Sequence, residues 1–219
     1  MNRQSHMTDS RDYSTARTFA WMALLGLILF TLIAILVQTL RPDMDPLEAT
    51  LSMYAVGPYG WLLTAGFVFM ALAVVSLALG IRRALYTGAR TDTGILLLLL
   101  LALGVFVVAI FPTDLPGAPH TTAGILHNFG AYLVFYSFPF TAFSLSRIFG
   151  KDRRWRPIYR ASWFLFLIYT AVLIITLLIF EGFHATGYFG AFQRFLILVI
   201  LVYLYLATDR LLRITASRT

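Results

Sequence analysis

The stretch from residue 94 to residue 111 reads GILLLLLLALGVFVVAIF and contains no charged side chain. A helix of this length would be about 27 Å long. That length comes close to the hydrocarbon core of a bilayer, which is about 30 Å thick. A surface helix of a soluble protein would carry a polar face, which this stretch lacks. The stretch therefore predicts a helix that crosses a membrane.

Five further apolar blocks accompany this stretch along the chain. The six blocks cover residues 18–40, 59–81, 94–111, 121–146, 161–180 and 188–208. Hydrophobic residues make up 59% of the chain and charged residues 12%, about half the charged fraction of a soluble domain. We therefore predict an all-α, polytopic membrane protein, a six-transmembrane-helix bundle at 18–210. A polar N-terminal tail at 1–17 precedes it, and a basic C-terminal tail at 211–219 follows.

The basic residues lie almost entirely on one side of the six blocks. The N-terminal tail, the second and fourth loops and the C-terminus carry 15 of the 17 Lys and Arg residues, and the other side has only Arg41 and Arg194. The positive-inside rule places the basic side in the cytoplasm. We therefore predict a multi-pass protein of the bacterial inner membrane with both termini cytoplasmic. The net charge of +7 then reflects topology and contact with anionic membrane lipids, and we expect no nucleic-acid partner.

Two features of the composition limit the chemistry. The chain has no cysteine, which excludes disulfides, thiolate ligands and cysteine nucleophiles. The one lysine, Lys151, lies in the fourth loop. No lysine within the membrane can therefore form a Schiff base, and a retinal pigment is excluded.

The first outer loop, residues 41–58, has the signals of a short helix. Asp45 can act as an N-cap, Pro46 suits the first helical position and Glu48 adds an acid to the first turn. Gly57 and the proline after it would end the helix. We predict an amphipathic helix over 46–56 that lies flat at the membrane interface. The alternative is that this helix folds over the outer mouth of the bundle.

Polar residues that could perform chemistry gather on the outer side. Three of the four histidines are among them. The full set is Asp114, His120, His127, Glu181, His184, Gln193 and Arg194. The segment from Arg194 to Asp209 would span only about 21 Å as a helix. The sixth helix must therefore begin earlier, near Tyr188, which places Gln193 and Arg194 one to two turns inside the membrane.

An arginine at that depth costs a few kcal/mol unless it is paired, hydrated or able to snorkel to the surface. We predict that Arg194 faces into the bundle and pairs with an acidic partner, Asp114 in preference to Glu181. The alternative is that its side chain snorkels to the outer surface.

The outer histidines are candidates for a metal site. His120 and His127 are two helical turns apart, about 10 Å, which is too far for both to bind one metal ion unless His120 folds back or His184 contributes. The candidate zinc ligands are Asp114, His120, His127 and His184. For each histidine alone, a solvated or hydrogen-bonded structural role is the favoured interpretation.

Several of these positions together resemble a known family. They are Ser52, Tyr54, Gly57, the sequence FPTD at 111–114, His120, His127, Gly190, Gln193 and Arg194. In order and placement they resemble the bacterial six-span family catalogued as "domain of unknown function 998", over nearly all of the chain after the N-terminal tail. The Frag1/DRAM/Sfk1 membrane family is more distantly similar. The resemblance implies a fold and a shared polar site but no activity.

The favoured function is binding in an outer-side pocket of a lipid or a small anionic ligand. The pocket would be lined by Asp114, His120, His127, His184, Gln193 and Arg194. The alternative is a metal-dependent intramembrane hydrolase, with dispersed His and Asp ligands to zinc and Glu181 as the base. A haem protein that uses His127 and His184 as axial ligands is disfavoured, because His184 is expected in a loop. A purely structural role is as plausible as an enzyme.

Overall fold

A computed structural model describes the backbone of residues 3–85, 92–182 and 187–216, and the side chains of 13–85, 93–180 and 187–216. Six long helices form this part of the chain, and each contains a segment long and apolar enough to cross a membrane. They are α1 (Arg3–Leu40), α2 (Gly60–Ala84), α3 (Asp92–Ile110), α4 (Thr122–Lys151), α5 (Tyr159–Leu177) and α6 (Phe189–Ala216). A π-helical turn at Leu178–Gly182 extends α5. The predicted six-helix, all-α membrane fold is confirmed.

The helices form a closed ring in which each packs against its neighbours in the chain. The most extensive contacts join α1 to α2, α3 to α4, and α2 to α3, and α6 closes the ring against α1 while also touching α2. We call the end of the bundle that carries residues 41–58 the outer end, and the opposite end the inner end. The helix α6 begins at Phe189, as the depth of Arg194 predicted.

Small residues let the helices approach closely. In α1 the residues facing α2 and α6 include Ala16, Ala20 and Ala23, all fully buried, while large apolar side chains such as Leu25 and Leu32 point outward. Lipid removes the usual hydrophobic drive for helices to associate, so close packing of small residues has to supply much of the stability. Between α3 and α4 a Cβ added to Gly104 would lie 2.8 Å from the Gly130 carbonyl oxygen.

Pro139 lies inside α4, where its ring removes a backbone N–H donor. The carbonyl left without its helical partner belongs to Phe135, four residues earlier. The Tyr169 hydroxyl of α5 donates to this carbonyl oxygen at 3.0 Å, and the Tyr169 side chain is fully buried. A neighbouring helix thus satisfies the carbonyl that proline frees, as the low-polarity surroundings require.

At the inner end, a polar cluster ties three segments together. The Arg154 guanidinium donates to the Asp152 carboxylate at 2.7 Å and to the Tyr13 hydroxyl of α1. The Arg210 guanidinium of α6 donates to the Arg154 carbonyl oxygen. The hydrogen bonds that the guanidinium donates to the Asp152 carboxylate raise the pKa of Arg154 above its ordinary value.

The outer loop departs from the predicted interfacial helix over 46–56. After a turn near Asp45, only one short 3-10 helix forms, at Leu51–Ala55. Leu51, Ser52 and Tyr54 are buried against the bundle, so the loop folds over the outer mouth. The favoured interpretation of a helix lying flat on the membrane is therefore wrong. Local capping signals indicated a helix, but in the structure the Gln193 and Arg194 side chains of α6 bind backbone groups of this loop.

Candidate functional site

Arg194 lies at the centre of the outer end and binds three segments at once. Its Nε donates to the Gln38 Oε1 of α1 at 2.8 Å. Its Nη1 donates to the Ala49 carbonyl oxygen of the outer loop at 2.6 Å, and to the Gly190 carbonyl oxygen one turn back in α6 at 3.1 Å. The guanidinium carbon also lies 5.6 Å from the centre of the Tyr54 ring. The charge therefore interacts with carbonyl and amide oxygens and with a ring face.

The predicted ion pair between Arg194 and Asp114 is wrong. No acidic side chain among the described residues forms an ion pair with Arg194, and the Asp114 carboxylate is bound elsewhere. The snorkelling alternative also fails, because the guanidinium is held under the outer loop. The Nη2 atom is buried and has no hydrogen-bond partner among the described residues. Glu181, the second predicted partner, has its side chain outside the described ones.

Gln193 holds the outer loop from the adjacent position of α6. Its Oε1 accepts a hydrogen bond from the Leu51 backbone N–H at 2.8 Å, and the Ala191 backbone N–H donates to the Leu47 carbonyl oxygen at 2.9 Å. Gly190 makes this contact possible, since a Cβ there would lie 2.4 Å from the Ala49 carbonyl oxygen. The loop backbone therefore rests directly on the first turn of α6.

Asp114 binds Thr121, the N-cap residue of the fourth helix. Its carboxylate accepts from the Thr121 backbone N–H at 2.9 Å and from the Thr121 hydroxyl at 2.7 Å. The same hydroxyl accepts a hydrogen bond from the Gly124 backbone N–H at 3.0 Å, which gives a free N–H of the first turn of α4 a partner. These bonds from Thr121 hold the pKa of the Asp114 carboxyl below its usual range. A Cβ on Gly124 would lie 2.1 Å from a carboxylate oxygen of Asp114.

The three outer histidines have different surroundings. His127 is buried in α4, and its Nδ1 donates to the Phe111 carbonyl oxygen at 2.7 Å. His120 precedes α4 and is exposed, with its Nδ1 3.9 Å from the Asp114 carboxylate. His184 lies outside the described residues. Among the described residues, no group of three or more histidine or acidic side chains is placed to hold a metal ion.

A cavity of about 70 Å³ lies beneath the outer loop, inside the ring of helices. Its walls are apolar residues of α1, α2, α3, α4 and α6, among them Phe30, Phe67 and Phe135. Polar side chains in its lining come from Ser52 of the outer loop, His127 of α4 and Gln193 of α6. Of the six predicted pocket residues, the cavity therefore includes His127 and Gln193, and its lining does not include Asp114, His120 or Arg194.

A second cavity of about 80 Å³ lies between α4, α5 and α6. It shares Phe135 and Gln193 with the first cavity, so these two side chains lie between the two spaces. Tyr132, Tyr136 and Phe189 also line it and are exposed on the outside of the bundle. Because these residues belong to membrane-spanning helices, the second cavity lies toward the lipid side of the protein.

Gln38 binds Arg194 but is not among the site residues predicted from the sequence. Gln38 is the polar residue in the last turns of the first apolar block, at the same membrane end as Gln193, and that matching depth is a signal that could have identified it. Nothing in the sequence indicated that the Ala49 carbonyl oxygen would bind Arg194, because a backbone atom carries no sequence signal.

The chain matches a known protein family over most of its length. The model described as "Protein of unknown function (DUF998)" matches residues 24–208. That range contains most of the six-helix bundle, including the outer loop and Arg194, and confirms the resemblance noted from the sequence. No curated protein matches the chain, and no solved structure matches it.

Proposed function

The chain belongs to this DUF998 family of unknown function, and we propose that it binds a lipid-like amphiphile in the outer half of the bundle. The observation that carries this proposal is the apolar cavity beneath the outer loop, with Ser52, His127 and Gln193 in its lining. Ligand sites are typically apolar pockets with a few placed polar groups. An amphiphile would fit its polar group to these three side chains and its chain to the apolar walls.

The contacts of Arg194 favour an amphiphile over a small anion. No cationic side chain lines either cavity, so a free anion would enter an apolar space without a counter-charge. The guanidinium is instead engaged in holding the outer loop. Arg194 thus supports the roof of the cavity and does not contact the ligand in this proposal.

His127 supplies a specific polar contact. A carbonyl oxygen can only accept, so the Nδ1 atom bonded to Phe111 carries the proton. In the neutral ring the other nitrogen, Nε2, is an acceptor. The ligand group that suits it is a hydroxyl or another uncharged donor, which a glycerol-type or protonated acid headgroup provides.

The second cavity provides the route for the chain of the ligand. Together the two cavities have about the volume of the engineered protein cavity that holds one benzene molecule, on the order of 150 Å³. They can therefore enclose only part of a lipid. We place the polar group of the ligand in the first cavity, beneath the outer loop, and the start of its chain in the second cavity. The remainder of the chain lies in the bilayer. Joining the two spaces requires the Phe135 side chain to rotate.

The membrane and the topology are part of the same proposal. The asymmetry of 15 basic residues against two supports a bacterial inner membrane with both termini in the cytoplasm. The outer loop and its cavity would then face the outer leaflet, and the ligand would enter from that leaflet.

Photocrosslinking with a phospholipid that carries a diazirine on its acyl chain tests the proposal. Purified protein in nanodiscs containing this probe should be labelled on the peptides around Phe135 and Gln193. The substitution Ala131→Phe adds a ring to the lining of the first cavity and should strongly reduce that labelling.

The substitution Ile125→Phe is the matched control, because it adds a ring to the exposed face of the same helix. It should leave the labelling of the two peptides unchanged. Equal labelling in Ala131→Phe and the wild-type protein would refute the cavity as the site. Labelling confined to outward-facing residues would also refute it, since that pattern is ordinary contact with bulk lipid.

A further inference from the structure

A groove of about 360 Å³ lies between α3 and α4 near the inner end of the bundle, away from the proposed outer site. Arg147 and Lys151 of α4 line one part of it, and Leu97 of α3 and Phe140 of α4 line another. Phe140 precedes Arg147 by two helical turns, or about 10 Å along the axis. The groove therefore has a cationic end and an apolar end.

The two cations at this groove have no ion-pair partner among the described residues. Arg147 and Lys151 are both exposed and are spaced one helical turn apart on α4. The Arg147 guanidinium carbon lies 5.6 Å from the centre of the Phe143 ring. By contrast, Arg154 at the same end is bound to the Asp152 carboxylate. The positive charge at the groove is therefore left for an external anion.

We propose that this groove is a binding site for an anionic phospholipid. The phosphate lies between Arg147 and Lys151, and one acyl chain follows Leu97 and Phe140 into the bilayer. Clustered basic side chains next to membrane-spanning helices attract anionic lipids, and each Lys or Arg near the surface strengthens binding about fivefold. A headgroup that carries an amine beside the phosphate places a positive charge among these cations and binds less well.

Thr93 of α3 and Ser144 of α4 also line the groove, and Ser144 lies between Phe140 and Arg147 along α4. Their hydroxyls can donate hydrogen bonds to phosphate or ester oxygens. A charged end, two hydroxyls and an apolar end follow the order of groups along a phospholipid. Free phosphate would use only the charged end.

Native mass spectrometry in detergent with added phosphatidylglycerol or phosphatidylcholine tests this site. Wild-type protein should retain phosphatidylglycerol in preference to phosphatidylcholine. The double substitution Arg147→Gln with Lys151→Gln should weaken the tightest phosphatidylglycerol binding by at least about tenfold. Both side chains are exposed, so the helices should remain folded, which a thermal melt verifies.

The double substitution Arg153→Gln with Arg160→Gln is the matched control, because it removes two exposed charges at the same end of the bundle. It should leave the tightest binding unchanged. The substitution Thr93→Trp fills the groove without changing its charge and should also weaken binding.

Three outcomes would overturn the proposal. An equal loss of binding in the control variant would show attraction to general surface charge. Equal retention of phosphatidylcholine would show ordinary bilayer contact. Displacement of phosphatidylglycerol by millimolar inorganic phosphate alone, together with normal binding in Thr93→Trp, would show a site for free phosphate.

Discussion

Replacing Arg194 with leucine should release the outer loop from the bundle while the six helices remain folded. The guanidinium joins α1, the outer loop and α6 through Gln38, Ala49 and Gly190. Leucine keeps an apolar side chain at the position but can donate no hydrogen bond. Of the hydrogen bonds that join the outer loop to α6, those of the Gln193 Oε1 and the Ala191 backbone N–H would remain.

The expected cost follows from the acceptors that lose their donor. The Gln38 Oε1 and the Ala49 carbonyl oxygen would each lose a charged donor, and an unsatisfied buried acceptor costs about 1–3 kcal/mol. The Gly190 carbonyl oxygen lies four residues before Arg194 in the helix, so it still has the backbone N–H as a partner. Removal of a partly desolvated charge returns part of the cost. We therefore expect a net loss of about 1–3 kcal/mol, localised to the outer loop.

Hydrogen exchange followed by mass spectrometry measures this effect on peptides covering residues 44–56. These peptides should exchange faster in Arg194→Leu, while peptides from the middle of the helices should not. Arg194→Lys should be intermediate, because a single ammonium cannot reproduce the guanidinium fork. Arg213→Leu is the control, since Arg213 carries the same charge on the same helix but forms an exposed pair with Asp209. Unchanged exchange at 44–56 in folded Arg194→Leu protein would refute the role of Arg194 in holding the loop.

Four further predictions concern other parts of the molecule. Tyr169→Phe should destabilise the bundle by about 1 kcal/mol, and this cost should fall in the Pro139→Ala background, where a helical N–H can replace the hydroxyl as donor to the Phe135 carbonyl oxygen. Equal costs in the two backgrounds, measured by thermal melts, would contradict the hydrogen bond between Tyr169 and Phe135. The carboxylate of Asp114 has a lowered pKa, so its contribution to stability is present above about pH 4 and disappears as pH falls further; the difference in melting temperature from Asp114→Asn should therefore shrink in acid. A reporter fused after Thr219 should be cytoplasmic and one inserted at Gly117 extracytoplasmic, and the opposite result at either site would reject the proposed topology. Diazirine labelling of the cavity should survive treatment with a chelator, whereas loss of labelling together with stoichiometric zinc in the untreated protein would favour the metal-dependent hydrolase.

The candidate site was only partly predictable because its residues were identified by depth. Depth along a helix depends on counting residues, and the count correctly predicted that α6 begins near Tyr188, which places Gln193 and Arg194 in its first two turns. Depth does not determine which way a side chain points. Asp114 instead accepts a hydrogen bond from the Thr121 hydroxyl at the start of α4, and Arg194 donates one to Gln38 of α1.

The outer loop shows that local sequence signals alone did not predict its backbone conformation. Its capping residues predicted a helix over 46–56, since Asp45, Pro46 and Glu48 suit the first turn. The structure has only the 3-10 turn Leu51–Ala55. The Gln193 Oε1 binds the Leu51 N–H, and the Arg194 guanidinium binds the Ala49 carbonyl oxygen. These long-range contacts compete with the local helix for its backbone groups.

The number of spanning helices, their approximate bounds and the membrane class of the protein are all predictable from local composition. Each of these depends on the length and apolarity of one segment, because a bilayer requires every spanning segment to satisfy its own backbone. The packing of the helices, in contrast, sets which polar groups contact one another, which spaces stay open and which cations at the inner end have no ion-pair partner in the described part of the chain. The bond between Arg194 and Gln38 joins residues 156 positions apart. Such a contact depends on how the helices rotate and pack, and no local pattern in the chain specifies that arrangement.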